Sequence, residues 1–180
     1  MQLAGDHFGN SRTTVRNDIL VPFISETILT LESMADLKAS SDLLTYQDAL
    51  DTFIFKGFSV CLVTRRQGEV DGKIVMNHDL ATALAIGNRV RAKMLGTEEN
   101  ATTLNAEVSE ALAEFANTAI GLAIRHLSAT RKFSFGTPAY IISQADSQMF
   151  LEGVKQIFTV PVDLAVGGRF YFSYLMHGEG

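Results

Sequence analysis

Apolar residues first recur at a regular interval beyond residue 17, where Phe23, Ile24, Leu29, Leu31 and Met34 follow an early Pro22 at helical spacing. This predicts a helix over 20–36. Ahead of it, residues 1–15 are polar and broken by Gly5, Gly9, Asn10 and Ser11, the composition of a flexible arm. The stretch 37–56 keeps no sustained period and predicts a polar loop with one short helical piece around 47–55. Two β-rich runs, 58–64 and 69–77, are joined by Arg65, Arg66, Gln67 and Gly68, the pattern of a hairpin with a glycine-containing turn.

Helical spacing then returns. Asp79 stands where a helix over 81–95 needs its N-cap, and Gly96 stands where that helix needs its stop. After a polar loop over 97–103, the longest helix is predicted over 105–128. Three more β-rich runs, 139–143, 156–166 and 169–176, are punctuated by the pairs Phe135-Gly136 and Gly167-Gly168. Strands that arrive in hairpins, rather than alternating singly with helices, predict an α+β fold of two layers. Its long helices pack on an antiparallel or mixed sheet, in one domain over 16–180 behind the arm at 1–15.

Composition narrows the function classes. The chain of 180 residues is long enough to bury a core, and 47% hydrophobic against 19% charged residues is the balance of a compact protein. A net charge of −5 without clustered Lys and Arg argues against nucleic acid and favours protein or small-molecule partners. No apolar run is long enough for a membrane span, which points to a cytoplasmic protein with no membrane partner. The single cysteine, Cys61, lies among apolar neighbours and is expected to be a buried thiol. His7, His78, His126 and His177 are scattered, and none has an acidic or histidine partner one helical turn away, so no metal site is expected. His126 is expected on the core side of the long helix. The triplet Asn77-His78-Asp79 reads as a strand end followed by an N-cap.

One stripe on the long helix stands out. On a helical wheel Leu104, Val108, Ala111, Leu112, Phe115, Ala119, Leu122 and Ala123 share an arc of roughly 120°, the expected core face. Nearly opposite, Glu110, Glu114, Asn117 and Gly121 fall within roughly 60° of one another and should be exposed together. Such residues are ordinarily just solvated. A mid-helix glycine, however, costs about 1 kcal/mol relative to alanine and asks for a reason, such as close approach by another backbone.

The ordered set of motifs carries a family resemblance. Pro22-Phe23 opens the first helix, Asp71-Gly-Lys-Ile-Val-Met76 ends the hairpin, and Met94-Leu-Gly96 ends the Ala-rich helix. With Glu110, Glu114, Asn117 and Gly121 at their spacing, this order resembles the CheX proteins of bacterial chemotaxis, within the CheC, CheX and FliY phosphatases, over residues 17–176. The family pattern is Asp or Ser, three residues, Glu, two residues, Asn and a later Pro. Glu114 and Asn117 match the two functional positions, Glu110 replaces the Asp or Ser, and Pro138 stands slightly early. The first helix lacks the second such motif of CheC-type proteins, so the chain resembles a single-motif member.

The resemblance implies a CheC/CheX-like α+β fold and a phosphatase acting on the aspartyl phosphate of a response regulator, CheY or a related receiver domain. Asn117 would position the attacking water, Glu114 would dock the receiver's lysine, and Glu110 and Gly121 would contact the partner. No cofactor of its own is implied, the Mg²⁺ being supplied by the receiver. A homodimer is also implied, with the runs 58–64 or 156–176 available to extend the sheet across two chains. The alternative is a non-catalytic module of the same fold that binds a receiver domain or a flagellar-switch component.

Overall fold

The computed structural model describes residues 15–97, 100–128, 133–142 and 148–178. The chain enters through a π-helical turn, Arg16–Leu20, and continues directly into α1, Val21–Ala35. Val15, assigned by sequence to the arm, belongs instead to the core at 5% exposure, while the rest of that arm lies outside the described residues. Phe23, Ile24, Leu31 and Ala35 are the buried apolar face of α1. Leu29, expected with them, is 58% exposed, because a position two residues before Leu31 is turned roughly 200° away from it. The helix stops at Asp36, whose own N–H reaches the Leu31 carbonyl and whose left-handed φ of 51° turns the next N–H, that of Leu37, back to the same carbonyl at 3.2 Å.

The helical piece expected around 47–55 is absent. The segment instead forms two short strands, β1 (Ala39–Ser40) and β2 (Tyr46–Asp48), followed by a turn in which Thr52 N–H donates to the Ala49 carbonyl. Both strands pair antiparallel with β7 (Val154–Leu164), Ala39 opposite Leu164 and Tyr46 opposite Thr159. An edge of β7 offering backbone partners outweighs the weak helical preference of a polar stretch.

The hairpin predicted at 58–77 is β3 (Phe58–Arg66) with β4 (Glu69–His78). Gln67 and Gly68 at its tip have φ of 52° and 93°, left-handed at both central positions as a two-residue hairpin turn requires. β8 (Arg169–His177) lies between β4 and β7, and all pairings are antiparallel. The sheet order is β1-β7-β8-β4-β3-β5, where β5 is Ser134–Phe135; β2 adds to β7, and β6 (Ala139–Ile141) adds to β3. Phe135, expected as turn punctuation, is thus a strand residue opposite Thr64. Of the run 139–143, the strand covers 139–141, and Ser143 lies outside the described residues.

The outer side of β3 is occupied by β5 at Thr64 and Arg65 and by β6 at Ser59 to Cys61; that of β7 is occupied by β1 and β2. Short strands of the chain itself thus cover part of each run expected to extend the sheet between chains, at 59–61 and 64–65 of β3 and at 157–159 and 163–164 of β7.

Alternation along the strands sorts the two faces of the sheet. Phe58, Val60, Ile74, Met76, Phe172 and Val160 face the helices and belong to the main core. Cys61, Val75, Ile157 and Leu175 face the other way, into a smaller cluster with Phe55. The Cys61 thiol is 2% exposed, and burial pushes its pKa up to about 12, so it stays protonated and unreactive. On the same face Asn77 accepts from Lys56 N–H and Ser59 Oγ, each at 2.7 Å, and donates to the Ile54 carbonyl. Its role is structural, pinning residues 54–59 to the sheet.

Two further helices complete the layer, α2 (Leu80–Leu95) and α3 (Ala106–Ser128). Asp79 caps α2 by accepting from Thr82 N–H at 2.7 Å, and Gly96 ends it with φ 66°. Asn105 caps α3 by accepting from Val108 N–H at 3.0 Å. Asn88 of α2 clamps the loop between them with a reciprocal pair of 2.9 Å hydrogen bonds to the Ala101 backbone. The helices close up at Gly87, where an added Cβ would come within 2.6 Å of Val108 Cγ1. Gly87→Val is therefore expected to cost about 1–3 kcal/mol by overpacking, read as a lower urea midpoint at unchanged slope.

Candidate functional site

The wheel of α3 separates as the spacing predicts. Val108, Leu112, Phe115, Ala119 and Ala123 are buried, joined by Ala116, Ile120 and Leu127. Leu122 is only half-buried, and Leu104 packs from the loop before the helix. His126 corrects the expectation of a core histidine. In the last turn that side of the helix meets Glu26 of α1 and solvent, with Nδ1 3.0 Å from Glu26 Oε1 and the side chain 75% exposed.

On the opposite side Glu110, Glu114, Asn117 and Gly121 are all exposed, turn after turn along α3. An added Cβ at Gly121 would meet nothing within 4 Å. No packing against a described residue calls for glycine there, at a helix-propensity cost of about 1 kcal/mol. Glu110 and Glu114 form no ion pair with any described residue. The two carboxylates therefore meet solvent on a rigid helix.

Asn117 is not left to rotate freely. The Tyr140 hydroxyl donates to Asn117 Oδ1 at 2.6 Å and also lies 3.4 Å from the Ala113 carbonyl. Tyr140 is held in β6, opposite Val60 of β3, with its ring 6.1 Å from that of Phe58. Pro138 precedes this short edge strand, where its missing N–H removes no ladder bond, and Gly136 N–H donates to the Val63 carbonyl to bring the chain along β3. Burial and the Glu114 carboxylate raise the Tyr140 pKa, with the hydrogen bond to Asn117 acting in the other direction. The phenol thus keeps its proton and remains a donor at neutral pH.

With the amide oxygen engaged, the Asn117 amide nitrogen is the end of the group turned away from Tyr140. The structure thus brings together Glu114, Asn117 and Tyr140, with Glu110 and Gly121 one turn to either side. Sequence reasoning did not find Tyr140. The available signal was an aromatic residue in a short strand directly after Pro138, but its neighbour on α3 is set only by how the helix lies on the sheet. The arrangement can position a small polar molecule and hold a cation beside it. Among the described residues no three His, Cys, Asp or Glu side chains gather into a metal-binding group, and no helix is long and apolar enough to cross a membrane.

Comparison with known proteins agrees with this architecture. The family model described as chemotaxis phosphatase CheX matches residues 60–163, a span from β3 into β7 that contains the whole stripe and Tyr140. No curated protein matches. The fold is similar to that of CheX from Vibrio vulnificus, with a TM-score of 0.62 and 20% identity over 86% of this chain and 95% of that one. It is also similar to the Borrelia burgdorferi CheX-CheY-BeF3-Mg²⁺ complex, with a TM-score of 0.59 and 20% identity over 88% of this chain and 97% of that one. Thermotoga maritima FliY shares the fold at a TM-score of 0.63 and 14% identity, over 98% and 92% of the respective chains. With more than half of its length matched by that family model, this chain belongs to the CheX family of chemotaxis phosphatases.

Proposed function

We propose that the protein hydrolyses the aspartyl phosphate of a phosphorylated response regulator, a CheY-like receiver domain of the cytoplasm. The observation that carries this reading is the exposed Asn117 carboxamide, fixed at its oxygen by Tyr140 beside the Glu114 carboxylate, which pairs with no described residue. A Borrelia burgdorferi CheX captured with CheY, BeF3 and Mg²⁺ supports a receiver as the partner.

The chemistry asks little of this chain beyond placement. An acyl phosphate is already reactive, and its transfer passes through a loose transition state that rewards alignment more than a strong base. The receiver brings Mg²⁺ and a lysine. The Asn117 amide nitrogen donates to a water and holds it in line with the phosphorus and the aspartyl oxygen. A bond forms from the water oxygen to phosphorus, the bond from phosphorus to the aspartyl oxygen breaks, and the water proton leaves with inorganic phosphate. Glu114 pairs with the receiver's lysine and sets the docking register, Gly121 gives the partner's backbone clearance, and Glu110 contacts its periphery.

The test is the decay of a phosphorylated CheY-type receiver with and without this protein. A substoichiometric amount is expected to speed the loss of phosphate. Binding without acceleration is the behaviour of a non-catalytic receiver-binding module and overturns the hydrolytic reading. Tyr140→Phe removes only the hydroxyl that orients Asn117. It is expected to lower kcat roughly tenfold, the worth of one well-placed hydrogen bond, with KM nearly unchanged.

A further inference from the structure

Beside the stripe, the last turn of α2 and the first turns of α3 enclose a cleft of about 380 Å³, lined by Arg91, Met94, Leu95, Glu107, Glu110 and Glu114. Its two walls differ in chemistry. Met94 and Leu95 are 53% and 70% exposed, two adjacent large apolar side chains that contribute little to the core. The α3 wall carries three carboxylates against one guanidinium, and that guanidinium is spent inside the chain: Arg91 bonds Glu107 and is itself 8% exposed. Lys93, the nearest other cation on the turn, is turned to Asp36. The cleft is therefore apolar on one side and net negative on the other.

Glu114 belongs to this cleft and to the site around Asn117, so a partner that engages both Asn117 and Glu114 reaches the edge of the cleft. We propose that the cleft is a second docking subsite, which takes an apolar side chain presented next to Lys or Arg on the phosphorylated receiver and so selects which receiver is accepted. The inference rests on the reading above, since it assigns the same partner to an adjoining surface. Charge points to this occupant over a second copy of the chain, because a protein of net charge −5 is a poor complement to an acidic cleft. A receiver with an acidic residue at the matching position is rejected by like-charge contact with Glu110, which gives the subsite its discrimination.

The experiment uses the full chain and a CheY-type receiver, phosphorylated for kinetics and loaded with beryllofluoride for binding. Met94→Ser with Leu95→Ser changes no charge and replaces two exposed side chains. It is expected to raise both KM and the Kd for the beryllofluoride-loaded receiver on the order of tenfold, at unchanged kcat. Glu110→Lys is expected to raise KM similarly and to flatten its dependence on salt. Unchanged KM and Kd in both variants, with the wild-type chain active, overturn the subsite alone. A wild-type chain that binds the receiver but never accelerates decay overturns the hydrolytic reading; an unchanged Kd in the variants then still overturns the subsite.

Discussion

Asn117→Ala is expected to slow receiver dephosphorylation by about 10²- to 10³-fold, the usual cost of removing one preorganised polar group from a transition state. The magnitude follows from what the amide does. It neither binds the phosphate tightly nor moves a proton; it reduces the freedom of one water molecule, an advantage lost entirely when the group is absent. Affinity for the receiver should stay within about threefold, because Glu114 and the cleft beside it are untouched. Asn117→Asp is the sharper control. It keeps an oxygen for the Tyr140 hydroxyl, but it removes the donor and adds a negative charge facing the phosphate. Single-turnover decay of the phosphorylated receiver, measured with the variant in excess, separates the rate from the affinity. A variant with wild-type decay would remove Asn117 from the mechanism.

The second large effect concerns stability below neutral pH. His78, at the end of β4, is buried with its ring stacked 4.8 Å from Phe170 and Nδ1 3.2 Å from the Phe58 carbonyl. Its Nε2 has no hydrogen-bond partner among the described residues. Burial lowers its pKa to about 4, against smaller upward pulls from the Phe58 carbonyl and Asp79. The folded chain therefore keeps His78 neutral, while the unfolded chain binds a proton below about 6.5. Stability from this group is complete above that pH and is lost as pH falls from 6.5 toward 4. The full loss is on the order of 3 kcal/mol, a large share of the 5–15 kcal/mol typical of a domain. Urea midpoints measured from pH 7.5 down to 4.5 should fall steeply, and less steeply in His78→Phe. His177, also lowered by burial and by Lys73, contributes in the same direction and remains in both proteins. Parallel pH profiles for the two proteins would remove His78 as the cause.

These two sites differ in how legible they were. The Asn117 stripe could be read from the chain because the 3.6-residue period of α3 sorts polar from apolar positions without reference to anything outside the helix. The same holds for the Asp79 cap, the Gly96 stop and the Gln67-Gly68 turn, each set by a few neighbouring backbone torsions. His78 was legible as a strand end but not as a buried neutral base, since its burial comes from Phe58 and Phe170 on two other strands. His126 went wrong the other way. Its wheel position was correct, but what lies on that side in the last turn depends on where α1 passes.

By itself the sequence determined the helices α1 to α3, the hairpin of β3 with β4, and an exposed Glu114, Asn117 and Gly121 on one face, because these follow from local period, capping and turn chemistry. Only the tertiary structure decided that 37–56 pairs as strands on β7, that β5 and β6 cover the outer side of β3, that Met94 and Leu95 wall a cleft against Glu110, and that Tyr140 reaches Asn117 across 23 residues of chain. Each of these joins residues far apart in sequence, and such contacts are chosen by the closing of the sheet and the angle at which helices cross it. No window of the chain contains that information.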